Sequence, residues 1–127
     1  MERLLWVCAG GAVGSGLRYG LSSWVATLAG TRLPLGTFAV NVIGSFLIGA
    51  IMQFGMNSTL LSPLSRLALT TGVLGGFTTY STFSYETVTS LGEGAYALAF
   101  ANVALTLLTC TVACAIGIGA GRWLAGA

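Results

Sequence analysis

Asn41 is an amide inside an otherwise apolar stretch, with Thr37 and Ser45 four residues to either side. On a helix these three share a face. Such a face offers neutral hydrogen-bonding groups and no charge. An amide left unpaired in a wholly apolar medium costs about 4–8 kcal/mol. Asn41 therefore needs partners, whether it glues helices together or meets a ligand. A second stripe, Asn102, Thr106 and Thr109, runs at i, i+4, i+7. A third lies within residues 70–86, where small hydroxyls alternate with aromatics from Phe77 to Ser84. Helical spacing sorts that segment into Tyr80, Phe83 and Thr87 on one face and Thr82, Glu86 and Thr89 on another. Glu86 is ionisable inside an apolar span, which marks it as functional by default. Its plainer reading is a protonated or hydrogen-bonded structural residue.

The remaining charges narrow the chemistry. Hydrophobic residues make up 55% of the 127 and charged ones only 6%, far below the quarter usual in soluble domains. The acids are Glu2, Glu86 and Glu93; the bases are Arg3, Arg18, Arg32, Arg66 and Arg122; there is no His. Metal-ligand clusters and His-based acid–base catalysis are thereby disfavoured, so the chain does not read as an enzyme. No basic block suggests nucleic acid as a partner. Cys8, Cys110 and Cys114 lie in apolar stretches and read as packing residues.

These stripes must be positioned by membrane-spanning helices. A span needs about 20 apolar residues. Four segments meet this: 4–28, 36–55, 64–91 and 95–124. The first carries Arg18 in its second half and has no cleavage motif, so it reads as a mature segment and not a removed signal peptide. The expected fold is an all-α integral membrane bundle, a single domain over 1–127, with its third helix broken. Small residues recur four apart at Gly10/Gly14, Gly16/Gly20, Ser45/Gly49 and Gly117/Gly121. Such pairs let helices approach closely in lipid.

The break is expected within Gly75–Thr79, because Gly72, Gly75 and Gly76 weaken the helix. Non-helical backbone at membrane depth must be buried in protein or line a wet cavity. The half-helix that ends there presents carbonyls to a cation, and the one that starts presents N–H groups to an anion. A glycine-kinked helix with Ser and Thr bonded to their own backbone is the simpler possibility.

Arginine placement gives only a weak orientation bias. Arg3, Arg66 and Arg122 share one side; Arg32, and Arg18 depending on its depth, belong to the other. Insertion in both orientations, and a two-fold antiparallel homodimer, would follow naturally. Four short helices enclose little interior, so a pathway would need a partner subunit. Hydroxyls, amide N–H groups and positive ring edges could replace part of a small anion's water shell.

The run Gly75-Gly76-Phe77-Thr78-Thr79-Tyr80-Ser81-Thr82-Phe83-Ser84 with Glu86 resembles the third-helix motif of the Fluc (CrcB) fluoride channels. Gly36-Thr37 with Asn41, and Gly10-Gly11 with Arg18, extend the resemblance over essentially the whole chain. The fourth helix matches only in character. The resemblance implies a dual-topology antiparallel homodimer with two pores, in the bacterial inner or plasma membrane. It would export toxic fluoride passively. Asn41 would donate to fluoride, and Tyr80 and Phe83 would form an aromatic box. Ser81, Thr82, Glu86 and Thr106 would line the route. Gly75 and Thr78 would offer backbone carbonyls to a central structural Na⁺, and Arg18 would sit near an interface or vestibule. Tyr80 departs from the family, which usually has Phe there, and Asn102 stands where some relatives have Tyr. The alternative is a small dual-topology proton-coupled exporter, for which Glu86 would be the essential acid.

Overall fold

The computed structural model describes all 127 residues and contains helices and short connections only. Helix α1 (Glu2–Ala29) ends where Gly30 takes φ 57° and its N–H returns to the Ala26 carbonyl. This left-handed cap suits glycine, which has no Cβ to clash. Helix α2 (Leu35–Asn57) starts after Pro34. Helix α3 (Pro63–Leu67) has Pro63 in its first turn and Ser62 as N-cap, the hydroxyl accepting from Ser65 N–H. It runs on through a π-helical stretch, Ala68–Leu74, into α4 (Gly75–Phe77). After two extended residues comes α5 (Tyr80–Gly92). Gly94, at φ 75°, turns the chain into α6 (Tyr96–Leu124).

The result is four rods, the third made of two pieces. Helices α2 and α6 are each long and apolar enough to cross a membrane. At 1.5 Å per residue they are about 35 and 44 Å long, against a hydrocarbon core of about 30 Å.

Small residues set the packing. At the α2–α6 seam, a Cβ on Gly49 would strike the Cys114 carbonyl, one on Gly117 the Phe46 carbonyl, and one on Gly121 the Ala50 carbonyl. Gly10 and Gly14 of α1 meet the third rod the same way, against Ala68 and Val73. The Gly16/Gly20 pair differs: a Cβ on either would meet nothing within 4 Å. Cys110 and Cys114 are half-buried free thiols, and Cys8 is an exposed one.

The third rod departs from the expected glycine-weakened helix. It winds through Gly72, Gly75 and Gly76 and stops only after Phe77. Gly72 and Gly76 serve close contact instead: Gly72 faces Gly10, and a Cβ on Gly76 would stand 2.5 Å from the Gly11 carbonyl oxygen. The added turn width is carried by the π stretch, a feature frequent at functional sites.

The apolar centre is small. Val40, Leu74 and Phe77 form it, with Leu21, Leu47 and Ile51 packed around. Only 16 of 127 residues are buried, while Leu17, Trp24, Phe100, Leu108 and Trp123 are all more than half exposed. So much apolar surface calls for lipid or another protein chain, not water.

Candidate functional site

The site is built around the gap between α4 and α5. Thr78 (φ −86°, ψ 158°) and Thr79 (φ −147°, ψ 116°) are extended. Asn41, from the middle of α2, holds this gap. Its Oδ1 accepts from Thr79 N–H at 2.8 Å and its Nδ2 donates to Thr79 C=O at 3.0 Å. In a continuous helix Thr79 N–H would bond to the Gly75 carbonyl. Asn41 takes that donor, so Gly75 loses its helical partner.

Thr79 also starts the next helix. Its Oγ1 accepts from Thr82 N–H at 3.2 Å, the usual N-cap bond. That N–H would otherwise reach the Thr78 carbonyl, so Thr78 too is left without its helical donor. The Thr79 hydroxyl further contacts Thr82 Oγ1 at 3.0 Å and Ser81 Oγ at 3.4 Å. The Thr78 hydroxyl bonds back to Leu74 C=O at 2.9 Å. The break thus comes from side-chain competition for backbone groups, not from weak propensity.

The gap opens onto a groove of about 640 Å³ between α2, the third rod and α6. Asn41, Gly75, Thr78, Tyr80, Phe83 and Thr106 all line it. Phe83 is buried and Tyr80 is 79% exposed. Their ring centroids are 5.7 Å apart, tilted by 56°. Thr106 is buried, and its hydroxyl reaches Asn102 Oδ1 at 3.5 Å. Asn102 Nδ2 donates to Thr87 Oγ1 at 2.9 Å, tying α6 to α5.

Glu86 lies apart from this groove. Its Oε1 accepts from Thr37 Oγ1 at 2.6 Å, and Oε2 is buried without a partner. It borders a second opening, also about 640 Å³, with Arg32 and Glu93. Ser81 and Thr82 cluster about the Thr79 hydroxyl and line neither opening. Arg18 is half-buried, and its Nε donates to the Gly76 carbonyl at 3.0 Å. That contact puts Arg18 behind the break.

Thr79 bounds the expected break, but its part in making it depends on Asn41, 38 residues away. Its local trace is the hydroxyl three residues ahead of Thr82, the spacing of an N-cap. For Arg18 no local pattern points to Gly76, 58 residues on.

The family model described as CrcB-like protein, Camphor Resistance (CrcB), matches residues 5–118. A relative named "Fluoride-specific ion channel FluC" from Sorangium cellulosum (strain So ce56) is 50% identical over 124 residues, covering 98% of each chain. Proteins of the same name from Geotalea daltonii and Anaeromyxobacter sp. (strain K) are each 48% identical; they cover 98% and 99% of this chain and all of the relative. The relatives are named as ion channels. With two helices apolar enough to cross a membrane, much exposed apolar surface and relatives named as ion channels, this is a membrane protein. With the match running over nearly its full length, the chain belongs to the CrcB family.

Proposed function

We propose that the protein is a fluoride-selective channel through which toxic fluoride leaves the cell down its gradient. The observation that carries this is the break clamped by Asn41, which opens onto a groove of neutral donors and aromatic rings. The relatives' name supplies the ion.

The proposed mechanism follows from the groups in the groove. Fluoride must shed water, and a conducting site must be strong enough to fill and weak enough to empty. An amide nitrogen carries two N–H groups. Asn41 spends one on Thr79 and keeps one for the ion. At the start of α5 the N–H groups of Thr79 and Thr82 are taken by Asn41 and Thr79, those of Tyr80 and Ser81 have no intrahelical partner, and the helix dipole favours an anion there. Tyr80 and Phe83 offer positive ring edges, and Thr106 a hydroxyl. Ser81 and Thr82 support the start of α5 through Thr79. Glu86, bonded to Thr37 and away from the groove, borders a separate opening. That position favours a channel over a proton-coupled exporter.

The assembly proposed is an antiparallel, dual-topology homodimer with two pores, each rod being one crossing of the bacterial inner membrane. The groove is open along one side, and Tyr80 lies on it largely exposed, which suits completion by a second copy. A central Na⁺ fits the residues present. Gly75 and Thr78 border the groove, and the helical donors of their carbonyls are engaged elsewhere. An all-oxygen set without acids suits a hard monovalent cation. When bound, the ion would neutralise the carbonyl end of the half-helix and join the two subunits.

Growth tests this function. Bacteria lacking their own fluoride exporter should regain growth in acidic, fluoride-containing medium when they express this chain. Continued fluoride sensitivity, with the protein present in the membrane, would count against the proposal.

A further inference from the structure

The half-helix that ends at Phe77 must satisfy its last carbonyls without intrahelical donors. They find different partners. Leu74 C=O accepts from the Thr78 N–H at 3.0 Å and the Thr78 hydroxyl at 2.9 Å. Gly75 C=O has lost its helical donor to Asn41. Gly76 C=O accepts from Arg18 Nε at 3.0 Å. A full positive charge from α1 therefore sits at the carbonyl end of this half-helix, where the dipole favours a cation.

Arg18 has no acid to serve instead. Glu2 lies on the same helix, roughly 24 Å away at 1.5 Å per residue. Glu86 is bonded to Thr37, and Glu93 lines an opening with Arg32 that Arg18 does not border. The close approach that lets Arg18 reach Gly76 is built into α1. Gly14 meets the Val73 carbonyl, and Gly76 packs on Gly11 and Ser15.

We propose that Arg18 is a positioning residue for the channel, a charged cap supplied by α1 that holds the Gly76 peptide from behind while Asn41 holds Thr79 from the groove side. Beside the Gly76 clamp lies Gly75, which lines the groove and whose carbonyl has lost its helical donor. Arg18 acts through the backbone and not on the ion. Its effect on conduction rests on the channel reading; its hold on the break does not.

The experiment is hydrogen exchange on the detergent-purified protein, with fluoride efflux from liposomes measured in parallel. Arg18→Met keeps the length of the side chain and removes both donor and charge. Exchange across residues 76–82 should rise about tenfold to a hundredfold, as expected for loss of a charge-assisted hydrogen bond, while α2 and α6 keep their protection. Efflux should fall, and millimolar methylguanidinium should restore both readings. Arg18→Lys should raise exchange at the break less than Arg18→Met does. If Arg18→Met does not fold, Arg18→Gln, which removes the charge and keeps an amide, decides: unchanged protection at the break contradicts the charged cap. Unchanged exchange in Arg18→Met, an equal rise in every helix, or lost efflux with normal exchange would each overturn the proposal. A wild type without fluoride efflux, combined with a local exchange effect in Arg18→Met, refutes the channel reading and leaves the cap standing.

Discussion

Asn41 grips the Thr79 backbone on both sides of its Cα, accepting from its N–H at 2.8 Å and donating to its C=O at 3.0 Å. A single side chain on α2 thus replaces the helical bonding of a residue in the third rod. It redirects the backbone, and its remaining N–H stays available to the groove.

Replacing Asn41 tests that double role. Asn41→Leu leaves two backbone groups unpaired, at about 1–3 kcal/mol each. Its melting temperature should drop and fluoride efflux should vanish. Asn41→Asp keeps the acceptor but loses the donor and brings a charge that repels an anion. Efflux should fall at least as far, with a smaller loss of stability. Wild-type efflux in both variants would remove Asn41 from the route.

The aromatic pair makes a second case. Phe83→Ile removes the ring edge and should sharply reduce fluoride flux while the protein keeps its size on gel filtration. Tyr80→Phe removes a hydroxyl that can hold the ion, so efflux should become faster without loss of selectivity. A slower Tyr80→Phe variant would mean that the hydroxyl assists passage.

The Thr37–Glu86 bond at 2.6 Å separates structure from proton coupling. Glu86→Gln keeps an acceptor for the Thr37 hydroxyl and removes the exchangeable proton. Efflux should remain passive and measurable without a pH gradient. Glu86→Leu strands the Thr37 hydroxyl and should lower stability by about 1–3 kcal/mol. Complete loss of transport in Glu86→Gln, with a folded protein, would favour an exporter.

Glycine substitutions should divide by contact. A Cβ on Gly14 runs into the Val73 carbonyl, so Gly14→Ala should destabilise the chain by about 1–3 kcal/mol. Gly20→Ala meets nothing within 4 Å in the single chain and should raise helix stability by up to about 1 kcal/mol. Thermal unfolding in detergent compares the two. A destabilised Gly20→Ala would reveal a contact supplied by another subunit.

The rods were legible because long apolar runs and flanking turn residues are local signals. Gly30 and Gly94 end and join helices as their positions suggest. The break was legible in place but not in cause. Gly72 and Gly76 look like helix breakers in sequence; in the fold they admit α1. The decisive partners, Asn41 with Thr79 and Arg18 with Gly76, are 38 and 58 residues apart, and no periodicity records such pairs. Spacing also put Thr37 on the face of Asn41, yet it bonds to Glu86 away from the groove. Local pattern gave the polar residues; only packing separated them into two openings.

The most direct measurement is the simultaneous release of fluoride and chloride from liposomes holding the purified protein, followed with ion-selective electrodes and no pH gradient. A fluoride-selective channel should give rapid fluoride loss with almost no chloride loss. Equal release of both ions, or no fluoride release from liposomes shown to contain folded protein, would contradict it.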